Sequence, residues 1–221
     1  MADRPQELTK RLRELPVLTG STSSFDPEDA PEHPAELFLD WLNGAIEAGV
    51  REPHAMTLST VDAAGRPDSR VLILKGLEDG CWSFATSRES RKGAEIAEFP
   101  WAAANFYWPE LGRQVRIRGR VADAGADASA QDFLERPPSS RAASLASHQS
   151  RPLTDPSELD AAYTDAAAAI EADPGLVPDH WALFQLAPDE VEFWEAERER
   201  PHFRLRYGLD DGRWSRQRLW P

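Results

Sequence analysis

Residues 114–121 are Gln-Val-Arg-Ile-Arg-Gly-Arg-Val, and in this stretch apolar and charged side chains alternate. In an extended strand, Val115, Ile117 and Val121 fall on one face and the three arginines fall on the other. Such alternation is typical of an antiparallel strand with one face in the core and the other in water. The stretch therefore predicts a sheet protein, and we interpret its arginine face as solvent-exposed rather than as a ligand site.

Similar short strands recur along the chain, separated by turn residues. The predicted strands are residues 55–61, 69–76, 81–86, 101–108, 114–121, 181–186, 190–194, 202–207 and 213–220. Regularly spaced antiparallel strands favour a barrel. The sequence contains no Gly-x-Gly-x-x-Gly motif and no P-loop, so we do not expect a Rossmann-type nucleotide site.

Helical periodicity is confined to a few segments. The predicted helices are residues 6–15, 34–49 and 90–98, followed by two or three helices between residues 128 and 172, of which the last spans 157–172. The first 33 residues are polar and show no sustained period. We therefore predict a mobile N-terminal arm over residues 1–33 and one folded domain over residues 34–221.

The composition limits the possible functions. The 221 residues carry a formal net charge of -13, which disfavours a nucleic-acid partner because such binding needs a broad basic surface. No apolar run approaches the roughly 18–20 residues of a membrane span, so no membrane partner is expected. A single cysteine, Cys81, excludes an intramolecular disulfide and a multi-cysteine metal site, and the histidines lack ligand spacing. We expect a cytoplasmic protein without a metal.

Basic residues nevertheless gather at several points of this acidic chain. Residues 87–93, Ser-Arg-Glu-Ser-Arg-Lys-Gly, lie where a strand gives way to a helix, and a basic helix N-terminus attracts phosphate. Ser90 can cap this helix. The alternative to a phosphate site is a capped helix with solvated basic residues. Arg200, His202 and Arg204 would share one face of an extended segment, which indicates an anionic ligand. Smaller polar groups, each also compatible with an ordinary loop or strand end, are Arg70 with Lys75, Arg113 with Gln114, Arg136 with Arg141, and residues 147–150.

Taken in order along the chain, these groups resemble the pyridoxamine 5'-phosphate oxidase family. The resemblance rests on Ser-Arg-Lys at 90–92, Glu-Phe-Trp at 192–194, Arg-x-His-x-Arg at 200–204 and the terminal Arg-Leu-Trp-Pro, and it runs from about residue 34 to residue 221. It implies a mostly β fold with added helices, an antiparallel Greek-key split β-barrel, and a homodimer with FMN at the interface.

The family pattern also implies the site residues. The implied FMN contacts are Arg70, Val71, Leu72, Lys75, Ala85, Thr86, Arg91, Lys92, Gln114, Gln149, Ser150, Trp194 and Arg204, with the last four expected from the other subunit. The implied substrate contacts are Lys75, Asp132, Arg136, Ser140, Arg200 and His202, and of these Arg200 and His202 are the implied catalytic residues. The implied reaction passes a hydride from a small-molecule substrate to the flavin and then to O2, giving hydrogen peroxide.

Several positions depart from the vitamin B6 pattern of this family. A tyrosine that lies beside the substrate phosphate in the family falls at Asp132, and a flavin-contacting tyrosine falls at Ala85. Residues 84–86 and 105–108 are more similar to the phenazine-biosynthesis branch. Three hypotheses follow: a pyridoxamine/pyridoxine 5'-phosphate oxidase, a flavin oxidase of a reduced aromatic metabolite, and a non-catalytic flavin- or haem-binding split barrel.

Overall fold

The computed structural model describes residues 4–19, 25–197 and 202–221, and within them the chain forms nine strands and six α-helices. The strands are β1 (Ala55–Val61), β2 (Pro67–Ile73), β3 (Gly76–Glu78), β4 (Cys81–Ser87), β5 (Trp101–Trp108), β6 (Arg113–Asp123), β7 (Trp181–Glu195), β8 (Phe203–Asp210) and β9 (Arg213–Arg218). The helices are α1 (Arg4–Glu14), α2 (Pro34–Glu47), α3 (Arg91–Glu98), α4 (Ala126–Leu134), α5 (Pro138–Ala146) and α6 (Pro156–Ala172).

All strand pairs are antiparallel, and the strands follow the order β2-β1-β5-β6-β7-β4-β3, with β8 on β7 and β9 on β8. The first half of β7 pairs with β4, whereas its second half pairs with β8. On its other side, β7 pairs with β6 along both halves. The sheet therefore divides beyond β7 into one branch through β4 and one branch through β8. This is the split barrel, and the mostly β prediction is confirmed.

The continuity of β7 corrects the prediction of separate strands at residues 181–186 and 190–194. Proline lacks the N–H that a strand donates, so a proline such as Pro188 is uncommon inside a strand paired on both sides. In the structure, the register between β6 and β7 shifts between Arg118 and Gly119, and Pro188 lies opposite Gly119 at this bulge. A Cβ atom on Gly119 would lie 2.0 Å from the Ala187 oxygen, so glycine is required for this close approach.

The predicted strand at residues 69–76 is two strands, and the short β3 was missed. The apolar run at residues 71–74 is continuous in sequence, but the strand that the backbone pairs with changes after Leu74. The Leu74 N–H donates to the His54 oxygen at 2.9 Å, next to β1, while the Lys75 N–H donates to the Ser83 oxygen of β4 at 2.8 Å. The chain therefore crosses between the two halves of the barrel at this point.

Helix α2 covers the interior of the barrel with aromatic side chains. Phe38 packs edge-on against Trp82 of β4 and Phe106 of β5, with ring centroids 5.3 and 4.9 Å apart. Trp41, one turn further along, packs against Phe193 of β7 at 5.2 Å. Such edge-to-face pairs add to the area that they bury. This core fixes the positions of the strands that carry the site.

The described part of the N-terminal segment differs from a mobile arm in its second half. The Phe25 ring lies 5.5 Å from Phe203 of β8, and the Tyr207 hydroxyl donates to the Pro31 oxygen at 2.8 Å. Helix α1, by contrast, has no buried residue. The domain boundary at residue 33 stays a prediction, but the residues from Phe25 to Pro31 pack on the barrel. No described helix has the length and apolar character that a membrane span requires.

Candidate functional site

The turn from β4 into α3 is built to expose a helix N-terminus. Ser90 caps the helix as predicted, because its Oγ accepts a hydrogen bond from the Gly93 N–H at 3.2 Å. The same oxygen donates to the Ser87 carbonyl at 2.7 Å. A Cβ on Gly93 would lie 2.4 Å from the Arg88 oxygen, so the turn closes only around glycine.

Six of the predicted FMN contacts meet at this turn and form what we call the anion cluster: Arg70, Thr86, Arg91, Lys92, Gln149 and Ser150. At its centre is Lys92, which is only 5% exposed. Its Nζ donates to Thr86 Oγ1 at 3.0 Å and to Gln149 Oε1 at 2.9 Å. Ser90 Oγ is a longer third partner at 3.4 Å.

The charge of Lys92 is therefore buried against neutral oxygens. Burial and, to a smaller extent, the nearby Arg70 guanidinium lower the pKa of Lys92 to about 8, although Glu95 and Asp68 partly offset both effects. A buried cation with no carboxylate bonded to it favours an anionic ligand, since a ligand phosphate would supply the missing counter-charge. The residues present therefore fit the phosphate group of a nucleotide-type cofactor.

A buried carboxylate, Glu95, orients the two arginines of the anion cluster. Its Oε1 accepts from Arg91 Nε at 3.0 Å, and its Oε2 lies 3.4 Å from Arg70 Nη2. The Thr60 hydroxyl donates to Oε2 at 2.5 Å and accepts from Arg70 Nη1. Asp68 lies 2.9 Å from Arg70 and 3.5 Å from Arg91. Together with Lys92, three cations face two carboxylates, which leaves a positive excess at the helix N-terminus.

Gln149 and Ser150 contact the rest of the anion cluster within one chain, whereas the family pattern implied that they contribute from the other subunit. Ser150 Oγ accepts from the Arg91 backbone N–H at 3.2 Å. Ser150 also has a φ of 77°, a left-handed conformation that costs a serine about 1 kcal/mol or more. The loop after α5 brings both residues to α3, a contact between segments about 60 residues apart that no local pattern reveals.

The remaining predicted contacts on β2 and β4 are distributed over different faces. Val71 is 66% exposed, whereas Leu72 packs against the main core. Ala85 of β4 packs against a second small core formed by Phe133, Ile170 and Trp181. Because successive residues of a strand face opposite sides, Ala85 and Thr86 border different groups of polar residues.

Three of the predicted substrate residues, Lys75, Asp132 and Arg136, lie together around Trp181, and with Ser140 of α5 we call them the substrate-end group. Lys75 Nζ lies 3.2 Å from Asp132 Oδ1, and the Trp181 indole N–H donates to Asp132 Oδ2 at 2.9 Å. The Arg136 guanidinium lies over the Trp181 ring, 4.3 Å from its centre. Lys75 is thus brought to Asp132 and not to the anion cluster.

Arg136 and Ser140 of the substrate-end group, both within the described residues, are not hydrogen-bonded to each other. Arg136 Nη1 donates to Ser144 Oγ at 2.7 Å, so Ser144 and not Ser140 is its hydroxyl partner. Ser140 lies half-buried in the first turn of α5. Burial lowers the pKa of Arg136, and the nearby Asp132 carboxylate partly offsets this effect.

Three further predicted contacts lie side by side on the outer face of the sheet, and we call them the outer row: Gln114, Trp194 and Arg204. Gln114 of β6 pairs with Trp194 of β7, which pairs with Arg204 of β8. Cross-strand partners project from the same face, so the three side chains are neighbours. Glu192 holds Arg204 through contacts of 2.9 Å to Nε and 2.8 Å to Nη2.

His202 lies at the end of the outer row. Its ring centroid is 5.1 Å from that of Trp194, and its Nδ1 accepts from the Glu197 backbone N–H at 3.2 Å. In the neutral ring the proton is therefore on Nε2, which can donate to a ligand. His202 also borders a cavity of about 710 Å³ with Phe25, Arg218 and Trp220. The predicted catalytic Arg200 lies outside the described residues.

Sequence reasoning missed four residues that hold these groups in place: Thr60, Glu95, Ser144 and Trp181. The four-residue spacing of Arg91 and Glu95 was the one available signal, because such pairs meet on a helix. That spacing is equally common on solvated helix surfaces, and Glu95 becomes informative only once it is known to be buried. Thr60 and Trp181 act through contacts with residues 35 and 49 positions away, and Ser144 contacts Arg136 across the turn between α4 and α5.

Comparison with known proteins shows the family. The sequence matches the family profile described as pyridoxamine 5'-phosphate oxidase over residues 42–167, and the pyridoxine 5'-phosphate oxidase C-terminal dimerisation region over residues 181–221. A relative from Chromobacterium violaceum, named pyridoxine/pyridoxamine 5'-phosphate oxidase, is 44% identical over 204 residues, 91% of this chain and 94% of the relative. One of the same name from Janthinobacterium sp. is 43% identical over 87% of this chain and 92% of the relative.

Solved structures show the same fold. The crystal structure of PhzG from Burkholderia lata 383 in complex with tetrahydrophenazine-1-carboxylic acid has a TM-score of 0.85 and 35% identity, and the match covers 91% of this chain and 100% of that chain. A pyridoxamine 5'-phosphate oxidase-related, FMN-binding protein from Nostoc punctiforme has a TM-score of 0.70 at 22% identity, over 85% of this chain and 97% of that chain. This second match shows the fold alone.

The split barrel, the anion cluster and the C-terminal dimerisation region define a flavin-type split-barrel oxidoreductase, and that region supports a homodimer. The chain belongs to the pyridoxamine 5'-phosphate oxidase family.

Proposed function

We propose that this chain is an FMN-dependent oxidase that holds the FMN phosphate in the anion cluster. Lys92 carries this proposal, because it is a buried cation whose hydrogen-bond partners are neutral. Arg70 and Arg91 add charge, and the N-terminus of α3 adds free N–H groups and a partial positive charge. The two carboxylates Glu95 and Asp68 keep both guanidiniums in place before a ligand binds.

The outer row would complete the FMN site from the second subunit of a homodimer. Within the described residues, no hydrogen bond or ion pair joins the anion cluster to Gln114, Trp194 or Arg204. Trp181 and Trp194 lie 13 residues apart on β7, a path of roughly 40 Å along an extended strand. This separation along β7 favours a site shared by two copies related by a two-fold axis, each of which contributes one end of the strand.

When bound, FMN would supply the redox chemistry, accepting a hydride from the substrate and passing the electrons to O2 to give hydrogen peroxide. The residues of the chain would position the cofactor and the substrate and stabilise charge. Arg204, held by Glu192, would supply the positive charge of the outer row. The His202 Nε2–H would donate a hydrogen bond to the substrate. Arg200, which belongs to the same sequence motif, would assist as a second cation.

The first candidate substrate is pyridoxine or pyridoxamine 5'-phosphate, which the names of the 43–44% identical relatives support. Lys75, Arg136 and Ser140 would then face the substrate phosphate. The second candidate is a reduced aromatic carboxylate. It is favoured by Asp132, which places a carboxylate among these residues, and by the tetrahydrophenazine-1-carboxylic acid bound in the PhzG structure.

Two measurements test the proposal. Purified full-length protein is titrated with FMN, and the loaded protein is assayed for peroxide with pyridoxine 5'-phosphate and with a reduced phenazine carboxylate. We expect one FMN per chain and peroxide with at least one substrate. A chain that takes up no FMN would refute the cofactor assignment. FMN binding without peroxide from any substrate would instead support a non-catalytic flavin-binding barrel.

A further inference from the structure

Asp132 is built into the substrate-end group by both of its carboxylate oxygens. Oδ1 faces Lys75 Nζ at 3.2 Å, and Oδ2 accepts the Trp181 indole N–H at 2.9 Å. The Asp132 side chain is 10% exposed, and that of Lys75 is 33% exposed. A carboxylate held by two partners at this depth is a fixed part of the pocket, because moving it would leave the indole N–H without an acceptor.

Asp132 changes the charge that this end of the pocket offers to a ligand. Lys75 and Arg136 are two cations, and Asp132 neutralises one of them through the ion pair with Lys75. Arg136 forms no ion pair with any described residue, and its single hydrogen bond to Ser144 uses Nη1. The Nε and Nη2 edge of the guanidinium is therefore left for a ligand, and this edge matches the two oxygens of a carboxylate.

The net single positive charge fits a singly charged anion better than a doubly charged one. A phosphate monoester carries about -1.5 to -2 charges at pH 7, whereas a carboxylate carries one. A dianion at Arg136 would be repelled by the Asp132 charge, because both side chains contact Trp181.

We infer that Asp132 is a specificity-determining residue that selects a substrate with a carboxylate, rather than a phosphate ester, at this end of the pocket. The inference rests on the proposed function, in which the substrate-end group faces the substrate. Asp132 positions Lys75 and lowers the charge around Arg136, and Arg136 binds the carboxylate edge-on. The Trp181 indole N–H donates to Asp132 and its ring packs against the Arg136 guanidinium, so the three side chains act as one unit.

Binding of two small probes to FMN-loaded protein tests the inference without turnover. Phenylacetate and benzyl phosphate share an aromatic ring and differ in the anion, and calorimetry gives the Kd of each. We expect the wild-type protein to bind phenylacetate more tightly. Asp132→Asn keeps an oxygen for the indole N–H but removes the charge, and should shift the ratio of the two Kd values about tenfold or more towards benzyl phosphate.

Two further variants separate specificity from general damage. Asp127→Asn removes the same charge from an exposed position of α4 and should leave the ratio unchanged. Asp132→Ser also removes the charge and places a hydroxyl near Trp181, so it should shift the ratio in the same direction and replaces Asp132→Asn if the amide variant folds poorly. FMN content is measured for every variant, since the anion cluster does not involve Asp132.

The outcomes are distinguishable from a failure of the proposed function. If the wild-type protein takes up no FMN, the proposed function and this inference both fall. If FMN binds but benzyl phosphate is preferred, if neither probe binds, or if removing the Asp132 charge leaves the ratio unchanged, the cofactor assignment stands and the role of Asp132 is wrong.

Discussion

Lys92 is the residue on which the cofactor site depends most. Arg91 is the more prominent cation in sequence, but its side chain is 57% exposed and already paired with Glu95. Lys92 is buried, and Thr86 and Gln149 satisfy its hydrogen-bonding capacity without neutralising its charge. An exposed, paired cation gains little from a ligand phosphate, whereas a buried and unpaired one gains much.

Replacing Lys92 with methionine should therefore weaken FMN binding. A hydrogen bond to a charged group contributes about 1.5–3 kcal/mol, so Lys92→Met should raise the Kd for FMN about 10- to 100-fold. Quenching of FMN fluorescence on binding measures this Kd. Lys10→Met makes the same chemical change on the exposed helix α1 and should leave the Kd unchanged. An unaltered Kd in Lys92→Met would place the phosphate elsewhere.

The lowered pKa of Lys92 in the FMN-free protein predicts that FMN affinity and the free energy of unfolding change in opposite directions as the pH rises. Above about pH 8 Lys92 loses its proton, so FMN affinity should fall as the pH rises through this value. The unfolded chain keeps this proton up to its ordinary pKa of 10.5. Between these values the unfolded state binds more protons, so the free energy of unfolding should increase with pH.

Lys92→Met is the control for both pH effects, because it removes the titrating group. The difference between wild type and variant, in FMN titrations and in urea unfolding across this pH range, isolates the contribution of Lys92. If the two proteins follow parallel pH profiles, Lys92 does not titrate near pH 8.

Among the elements, the β4–α3 turn makes the strictest demand on sequence. The first turn of α3 lies directly against the backbone of residues 87 and 88, and this close contact leaves no room for a Cβ at Gly93. The same turn carries the Ser90 cap and presents Arg91 and Lys92. Its geometry therefore couples local packing to cofactor binding.

Gly93→Ala should destabilise the protein by about 1–3 kcal/mol, the usual cost of forcing extra volume into a packed site, and should also weaken FMN binding. Gly44→Ala is the matched control, since Gly44 lies within α2 and its new Cβ would come no closer than 3.9 Å to another group, the Arg113 guanidinium. That change should be neutral or stabilising by up to about 1 kcal/mol. Chemical unfolding measures both, and equal stability of the two variants would contradict the proposed close approach.

At the scale of the whole molecule, the residues of the proposed FMN site lie in two regions, and no hydrogen bond or ion pair among the described residues joins them. The anion cluster lies at the β4–α3 turn, and the outer row lies across β6, β7 and β8. The dimerisation region, residues 181–221, includes Trp194 and Arg204. A subunit interface is therefore where the two regions would meet.

Subunit mixing should show that the two regions belong to different chains of one site. Lys92→Met and Trp194→Ala should each weaken FMN binding as homodimers. A heterodimer of the two, isolated with two affinity tags, has one intact site and should bind about half of the wild-type FMN. A heterodimer of Lys92→Met with Thr86→Val has both defects in anion clusters and should recover nothing. Failure of the first heterodimer to recover FMN would contradict a shared site.

Much of the fold could be predicted from local sequence. Strands β1 and β5 match the predicted bounds, because alternation of apolar and polar side chains is a property of the segment itself. Ser90 was predicted as the cap of α3, because capping involves residues three apart. The order of the basic groups along the chain was sufficient to indicate the family, and the family profiles confirm it.

The tertiary structure alone decided which of these groups meet. It made β7 continuous through Pro188, because β6 pairs with both halves of the strand. It also brought Gln149 to Lys92 within one chain, Lys75 to Asp132, and Glu95 into the interior. Charges in a sequence show no partners, since their pairing depends on which distant segments fold together and how deeply each side chain is buried. The sequence by itself therefore determined the strands, the cap and the family, and the fold determined the charge balance in the anion cluster and in the substrate-end group.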